Sequence, residues 1–188
     1  MLRSLVGSEM CIRDRLYGLM TQDATYSRDI PIVLSTNSDC ELVDGLGTDA
    51  NNTTHERGAM NYNVSPGWSK LSNVWDAMYS IIENANLIVE GINKSSLLTS
   101  GDSDQRAMER FKGEALTIRA MVYFDLIRLF GDIPYKSESS NPNLGNVYLG
   151  KSDRDVIMDE LIKDLETAIT LLPWAGEVSA YTTERVTK

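Results

Sequence analysis

The chain has 188 residues, 42% of them hydrophobic and 24% charged, with a net charge of −9, which suits one domain with room for a proper core and the composition of an ordinary globular protein. The acid excess argues against a nucleic-acid partner, since phosphate binding needs a basic face. One histidine, His55, cannot build a multi-histidine metal site; Cys11 and Cys40 show neither metal-ligand spacing nor a disulfide framework, and no apolar run approaches the roughly 20 residues of a membrane span.

Met1 to Arg15, MLRSLVGSEMCIRDR, has no helical or strand period and no caps. The stretch resembles a translated sequencing-adapter read-through, so residues 1–15 are expected to be non-native and are set aside as an expression tag would be. Cys11 is not read as a lipoprotein cysteine, because Ser8, Glu9 and Met10 do not form a small-residue cleavage signal and no apolar segment precedes them. Leu16 to Thr25 reads as the end of a first helix, with Leu16, Leu19 and Met20 on one face. Asp29 to Leu34 reads as a short irregular extended piece.

Ser35 to Ser65 is rich in Asn, Asp, Thr and Gly, which favours turns and an exposed loop. Asp39, Glu41, Asp44 and Asp49 lack the spacing of a calcium loop. Trp68 to Ile92 predicts a helix: Trp75, Met78, Tyr79, Ile82, Asn86 and Val89 follow the helical step. Trp75 and Tyr79 are expected in the core, and Asn86, on an apolar face, is expected to satisfy a buried backbone group. The Ser/Gly linker from Lys94 to Asp104 then joins two helices into a hairpin.

The following stretch, RFKGEALTIRAMVYFDLIRLFGDIPY from Arg110 to Tyr135, organises the chain. Phe111, Ala115, Ile118, Val122 and Leu126 share one face, and Leu116, Met121, Phe124, Ile127 and Phe130 fill the others. A helix with no polar side is expected to be buried in a larger helical body. Ser103 or Asp104 can cap its start; Gly131 sits where a left-handed C-terminal residue is wanted, and Pro134 blocks a restart. Arg119, Asp125 and Arg128 lie among apolar neighbours, so each needs a partner. Asp125 and Arg128, three apart, can pair on one face. Lys136 to Gly150 is a second loop. Ser152-x-x-Asp155 predicts a capping-box start for a third helix, Asp153 to Leu172, whose apolar stripe is Val156, Ile157, Leu161, Leu165, Ala168, Ile169 and Leu172, with Pro173 ending it.

Three of these segments carry a resemblance. Glu114, Ala115, Arg119, Ala120, Tyr123, Phe124, Leu126, Arg128, Phe130, Gly131 and Pro134 match the signature helix of the SusD/RagB family of Bacteroidetes outer-membrane nutrient-binding lipoproteins. Trp75, Tyr79, Ile82, Ala85 and Asn86 resemble the family's preceding helix, and Leu161, Asp164, Leu165, Ala168, Leu172 and Pro173 a later one. The resemblance covers most of Leu16 to Lys188, about the first third of a family member. On that basis residues 16–188 are expected to be the N-terminal part of a SusD-like domain truncated at its C-terminus, with the signal peptide and anchor cysteine outside it. Apolar faces that the absent portion would cover predict poor solubility for the chain alone.

The expected fold is all-α: antiparallel helix pairs with long loops. The tetratricopeptide-like character comes from the family, since no repeat of about 34 residues is legible. The resemblance implies a lipid-anchored protein on the outer face of the cell outer membrane. It would bind an oligosaccharide or another nutrient and pass it to a TonB-dependent transporter of the SusC type, without catalysis and without a cofactor or metal. Membrane contact would run only through a lipid anchor absent from this chain. The alternative is a soluble helical-repeat scaffold that binds peptides or proteins. No nucleophile motif, phosphate loop or dinucleotide turn is present.

Sugars are held by aromatic faces stacked on the ring and by fixed amides, carboxylates and hydroxyls, on loops carried by a rigid scaffold. The loop entering the first long helix supplies such types. Tyr62 and Trp68 are the leading candidates, with Asp49, Asn51 and Asn63 from the same loop, and Trp174 and Tyr181 are lesser ones. No family motif maps onto these positions. Trp75, Tyr79, Asn86, Glu114, Arg119, Tyr123, Phe124, Arg128, Gly131 and Pro134 are read as structural signature residues.

Overall fold

The structure, a computed structural model, describes residues 13–31, 69–95, 103–140, 145, 148–177 and 187. The chain divides into two compact units, Met1–Tyr17 with Ser80–Lys188, and Gly18–Tyr79. The described residues are mostly helical. A short helix, α1 (13–20), is followed by α2 (Ser69–Asn93), α3 (Ser103–Phe130) and α4 (Arg154–Leu171), with a 3-10 turn at Ala175–Glu177. None of the described helices is long and apolar enough to cross a membrane.

In the larger unit α3 lies between two antiparallel neighbours. Against α2, Lys112 bonds Asn93 and Arg119 bonds Asn86, so the numbering runs in opposite directions. Against α4, a Cβ on Gly113 would touch Leu172, and Arg119 bonds Asp164. Leu116 fills the junction, packed with Ala168, Leu172, Val89 and Leu171. The expected helix pairs are therefore present. Two residues of α1 add a further contact: Arg13 stacks its guanidinium over the Phe111 ring at 4.7 Å, and the Tyr17 hydroxyl donates to the buried Glu114 carboxylate at 2.8 Å. Regular helix thus reaches back to Arg13, into residues whose sequence shows no period.

Helix α3 ends as its sequence requires. Gly131 has φ +74°, and its N–H bonds the Ile127 carbonyl at 2.9 Å. The expectation of an all-round buried helix needs correction. Val122, Tyr123 and Leu126 are buried, but Met121 and Phe124 are 39% and 44% exposed. Its neighbours cover part of the circumference, and Met121 and Phe124 point into the open sector. There the Arg128 guanidinium lies 5.5 Å from the Phe124 ring centroid and also pairs with Asp125 at 3.2 Å.

Helix α4 also departs from its sequence pattern. Its N-cap is Asp153, whose side chain accepts from the Asp155 N–H, and not Ser152. Ser152 is used elsewhere: it forms an antiparallel bridge with Ile133, its N–H bonding the Ile133 carbonyl at 2.9 Å. The bridge ties the end of α3 to the start of α4. Of the apolar stripe, Ile157, Leu161, Ala168 and Leu172 are buried, while Val156, Leu165 and Ile169 are exposed. Periodicity found the helix, but one contact face is narrower than the stripe.

The smaller unit is described at residues 18–31 and 69–79. The Thr25 hydroxyl lies within 2.9 Å of the carbonyls of Leu19, Met20 and Gln22, and it rounds off the turn after α1. Residues 29–31 are a helical turn rather than an extended piece. The buried Asp29 pairs with Arg28 at 2.9 Å and with Lys70 at 3.8 Å. Val74 and Met78 are the buried residues of this part of α2; Trp75 and Tyr79 are half-buried and stack on each other, centroids 4.9 Å apart, rather than fully entering the core.

Candidate functional site

Arg119 is the centre of the polar structure in the larger unit. It is 4% exposed, and such a charge is tolerated in an apolar setting only when fully bonded. Its Nε and Nη2 make a bidentate pair with the Asp164 carboxylate at 2.8 and 2.6 Å. Its Nη1 donates to the Asn86 side-chain oxygen at 2.7 Å and to the Ser137 carbonyl at 3.0 Å. One side chain therefore joins α2, α3, α4 and the loop after α3. Burial works against its charge, but the bonds and attraction of Asp164 outweigh burial and hold its pKa above the ordinary value.

The loop from Lys136 to Ser140 is fixed by the helices beneath it. Asn86, expected to satisfy buried backbone, donates to the carbonyls of Lys136 at 3.3 Å and Glu138 at 2.9 Å. The buried Tyr123 hydroxyl donates to the Lys136 carbonyl at 3.1 Å and accepts from the Lys136 N–H at 2.9 Å. Glu90 accepts from the Ser139 N–H, and Glu83 from the Ser140 N–H at 2.7 Å. The Lys136 ammonium reaches Glu83 at 2.8 Å. Irregular backbone here is held by side chains where a strand or helix would use its own ladder.

Two predictions follow from this clamp. Tyr123→Phe keeps the ring and removes both bonds to Lys136, leaving its part-buried N–H short of a partner while the carbonyl keeps the bond from Asn86; the cost is about 1–3 kcal/mol in a urea titration. Acid should loosen the same loop. For Glu83, desolvation raises the pKa but is outweighed by Lys136 and Ser140; for Glu90, the Ser139 N–H is the main cause. Both carboxyls are held below their ordinary value. A depressed folded pKa contributes stability above the unfolded pKa and loses it as pH falls through the folded one. Amides of Ser139 and Ser140 should therefore exchange faster, relative to the core of α3, as pH drops below about 4. Replacing both glutamates by glutamine should remove that pH dependence.

Beside the clamp lies a pocket of about 190 Å³ lined by Tyr135, Lys136, Ser137, Glu138 and Leu149. The Tyr135 ring rests against Tyr123, centroids 5.0 Å apart at 49°. Burial pushes its phenol up to about 12, so it stays protonated. Sequence reasoning gave this loop no functional weight, because its residues have no motif spacing; the visible signal was one aromatic, Tyr135, at its head.

Some of the signature residues gather on this framework, while Trp75 and Tyr79 lie in the smaller unit and Phe124 is exposed. Asn86, Arg119 and Tyr123 hold the loop, Glu114 binds Tyr17, and Gly131 and Pro134 turn the chain. Tyr62, Trp68, Asp49, Asn51, Asn63 and Tyr181 lie outside the described residues. Trp174 follows α4 and is 60% exposed. Among the described residues no group of histidine, cysteine and carboxylate side chains could hold a metal ion.

Residues 32–188 match the SusD-like family described as starch-binding and associating with the outer membrane. SusD-like protein P25 of Formosa agariphila is 28% identical over 81% of this chain and 27% of its own length. SusD-like protein P2 of the same organism is 24% identical over 84% of the chain and 29% of its own. The chain thus spans less than a third of these curated relatives. Among solved structures, a SusD homolog from Bacteroides thetaiotaomicron superposes with a TM-score of 0.81 at 22% identity, covering 95% of this chain and 32% of that one. A laminarin-binding SusD-like protein gives 0.73 at 20% identity over 96% of this chain and 37% of its own. Surface glycan-binding protein A from Bacteroides fluxus gives 0.72 at 20% over 93% and 35%.

Proposed function

The chain belongs to the SusD-like family, and from that premise we propose that the intact protein captures an oligosaccharide or another nutrient at the cell surface. It does so without catalysis, from the outward face of the outer membrane, held there by a lipid anchor. It passes its ligand to a TonB-dependent transporter of the SusC type. The observation that carries the reading is the match over residues 32–188 to a family described as starch-binding. It is supported by fold likeness to proteins named for laminarin and surface-glycan binding.

The physical reading agrees with this division of labour. Asn86, Arg119 and Tyr123 are spent on loop backbone, and Arg119 also on its bidentate pair with Asp164. Ligand contact then falls to loops carried on the rigid layer. Tyr62 and Trp68 are the proposed stacking residues, with Asp49, Asn51 and Asn63 as polar partners.

A glycan array probed with the intact protein tests the reading. Binding of at least one glycan class is expected, weakened in Trp68→Ala and Tyr62→Ala. Glycan binding with both variants unchanged would move the site away from these residues. Delivery is tested separately, by co-purification with a large β-barrel transporter. If the protein binds no glycan and brings down no such barrel, the reading fails in favour of a helical scaffold for peptides or proteins.

A further inference from the structure

The pocket at Tyr135 has the makings of a ligand site that the clamp alone does not need. Its backbone is fixed in advance: the carbonyls of Lys136, Ser137 and Glu138 are each bonded to a side chain of α2 or α3. A site ordered before binding spends little affinity on ordering itself. Its lining is mixed. Tyr135 offers an aromatic surface and Leu149 an aliphatic one, while Ser137 and Glu138 supply a hydroxyl and a carboxylate. Neither the Ser137 hydroxyl nor the Glu138 carboxylate has a hydrogen-bond partner among the described residues, and both residues are exposed.

Size and charge narrow the ligand. At about 190 Å³ the pocket is smaller than the roughly 300–1,000 Å³ that encloses a drug-sized molecule, and it has room for about one small ring. The Lys136 ammonium is engaged by Glu83 and Ser140, so among the described lining residues the remaining charge is the Glu138 carboxylate. An anionic group such as phosphate is disfavoured there. A polyol suits it: neighbouring hydroxyls donate to a carboxylate, while the C–H face of the ring packs on Tyr135 and Leu149.

We propose that the pocket formed by Tyr135, Ser137, Glu138 and Leu149 is a subsite for a single pyranose ring, in addition to any contact made by Tyr62 and Trp68. This rests on the glycan-binding reading and goes further by assigning a place and a unit of recognition. In the subsite Glu138 accepts from two ring hydroxyls, Ser137 bonds a third, and Tyr135 supports the apolar face.

The test uses the intact protein, with methyl glycosides of glucose, galactose, mannose and xylose, and with maltoheptaose as a longer probe, followed by saturation-transfer NMR and calorimetry. At least one methyl glycoside should bind. Glu138→Gln should weaken it roughly tenfold or more, the loss of a charge-assisted bond. Leu149→Trp, which fills the pocket, should abolish it. Both positions are exposed, so both variants should keep the wild-type melting temperature. If maltoheptaose binds the wild type but both variants bind the glycosides as well as wild type does, the subsite is overturned while the glycan-binding reading stands. If the wild type binds lysine or another cation here in preference to every glycoside, the assignment to a sugar is overturned. If it binds no carbohydrate at all, the glycan-binding part of the reading and the subsite fall together.

Discussion

Arg119→Ala should destabilise the larger unit by about 3–5 kcal/mol, the cost of stranding the largely covered partner charge, whose side chain is 12% exposed. The Asp164 carboxylate would keep its desolvation and lose its counter-ion, and Asn86 and the Ser137 carbonyl would each lose a donor. At this chain length the melting temperature should fall on the order of 10 °C. Arg119→Lys separates charge from shape. A lysine can satisfy Asp164 as a point charge but cannot fork to Asn86 and Ser137 as well, so it should recover only part of the loss. The double variant Arg119→Met, Asp164→Leu separates the ion pair from the wider network. Exchanging a buried pair for apolar groups is often near neutral, whereas here a residual loss of about 1–3 kcal/mol should persist from the unpaired loop carbonyl. Full recovery in the double variant would mean that Arg119 serves Asp164 alone.

Gly113→Val should cost about 3 kcal/mol, because α3 and the end of α4 meet at that glycine with no room for a side chain. A Cβ there would lie 2.8 Å from Leu172 Cγ and 3.3 Å from Leu171 Cβ. These are the inner atoms of residues packed against Leu116, so they cannot swing aside as a flexible tip would. Gly113→Ala brings two opposed effects: about 1 kcal/mol of helix propensity gained and about 1–3 kcal/mol of crowding lost. The alanine variant should therefore sit between wild type and valine. Urea titration of all three gives the order, and an alanine variant more stable than wild type would show that the α3–α4 junction can open at little cost.

Much of this fold is legible in the sequence, because the features that set it are local. Periodicity marks α2, α3 and α4; Gly131 marks the end of α3 through its left-handed backbone. Asn86 on an apolar face requires a backbone partner, and Asp125 with Arg128 forms the expected pair. What stays hidden depends on how helices meet. Arg119 visibly needs a counter-charge, yet its partner is 45 residues away and is chosen by the register of α3 against α4. The same register decides that Leu165 and Ile169 are exposed while Ala168 and Leu172 are buried, though all four belong to one stripe. Ser152 has a cap-like spacing, yet the cap is Asp153, one residue on, while Ser152 bridges to Ile133. The Tyr135 pocket is invisible for a related reason: its shape comes from a loop whose conformation is set by side chains of α3 and of α2, some 50 residues away.

The clamp explains why a run of signature residues contains so many polar groups on a largely apolar helix. Asn86, Arg119 and Tyr123 fix the backbone that leaves α3 and lead it to the bridge that starts α4. These side chains are scaffold for the loop that follows α3.

Amide hydrogen exchange at Lys136, Ser139 and Ser140 measures that clamp directly, since their N–H groups are bonded to Tyr123, Glu90 and Glu83 and to no backbone ladder. These three amides should exchange far more slowly than an open surface loop, and Arg119→Ala should release them while the interior of α3 stays protected. Exchange in the wild type at the rate of an unstructured segment would contradict it.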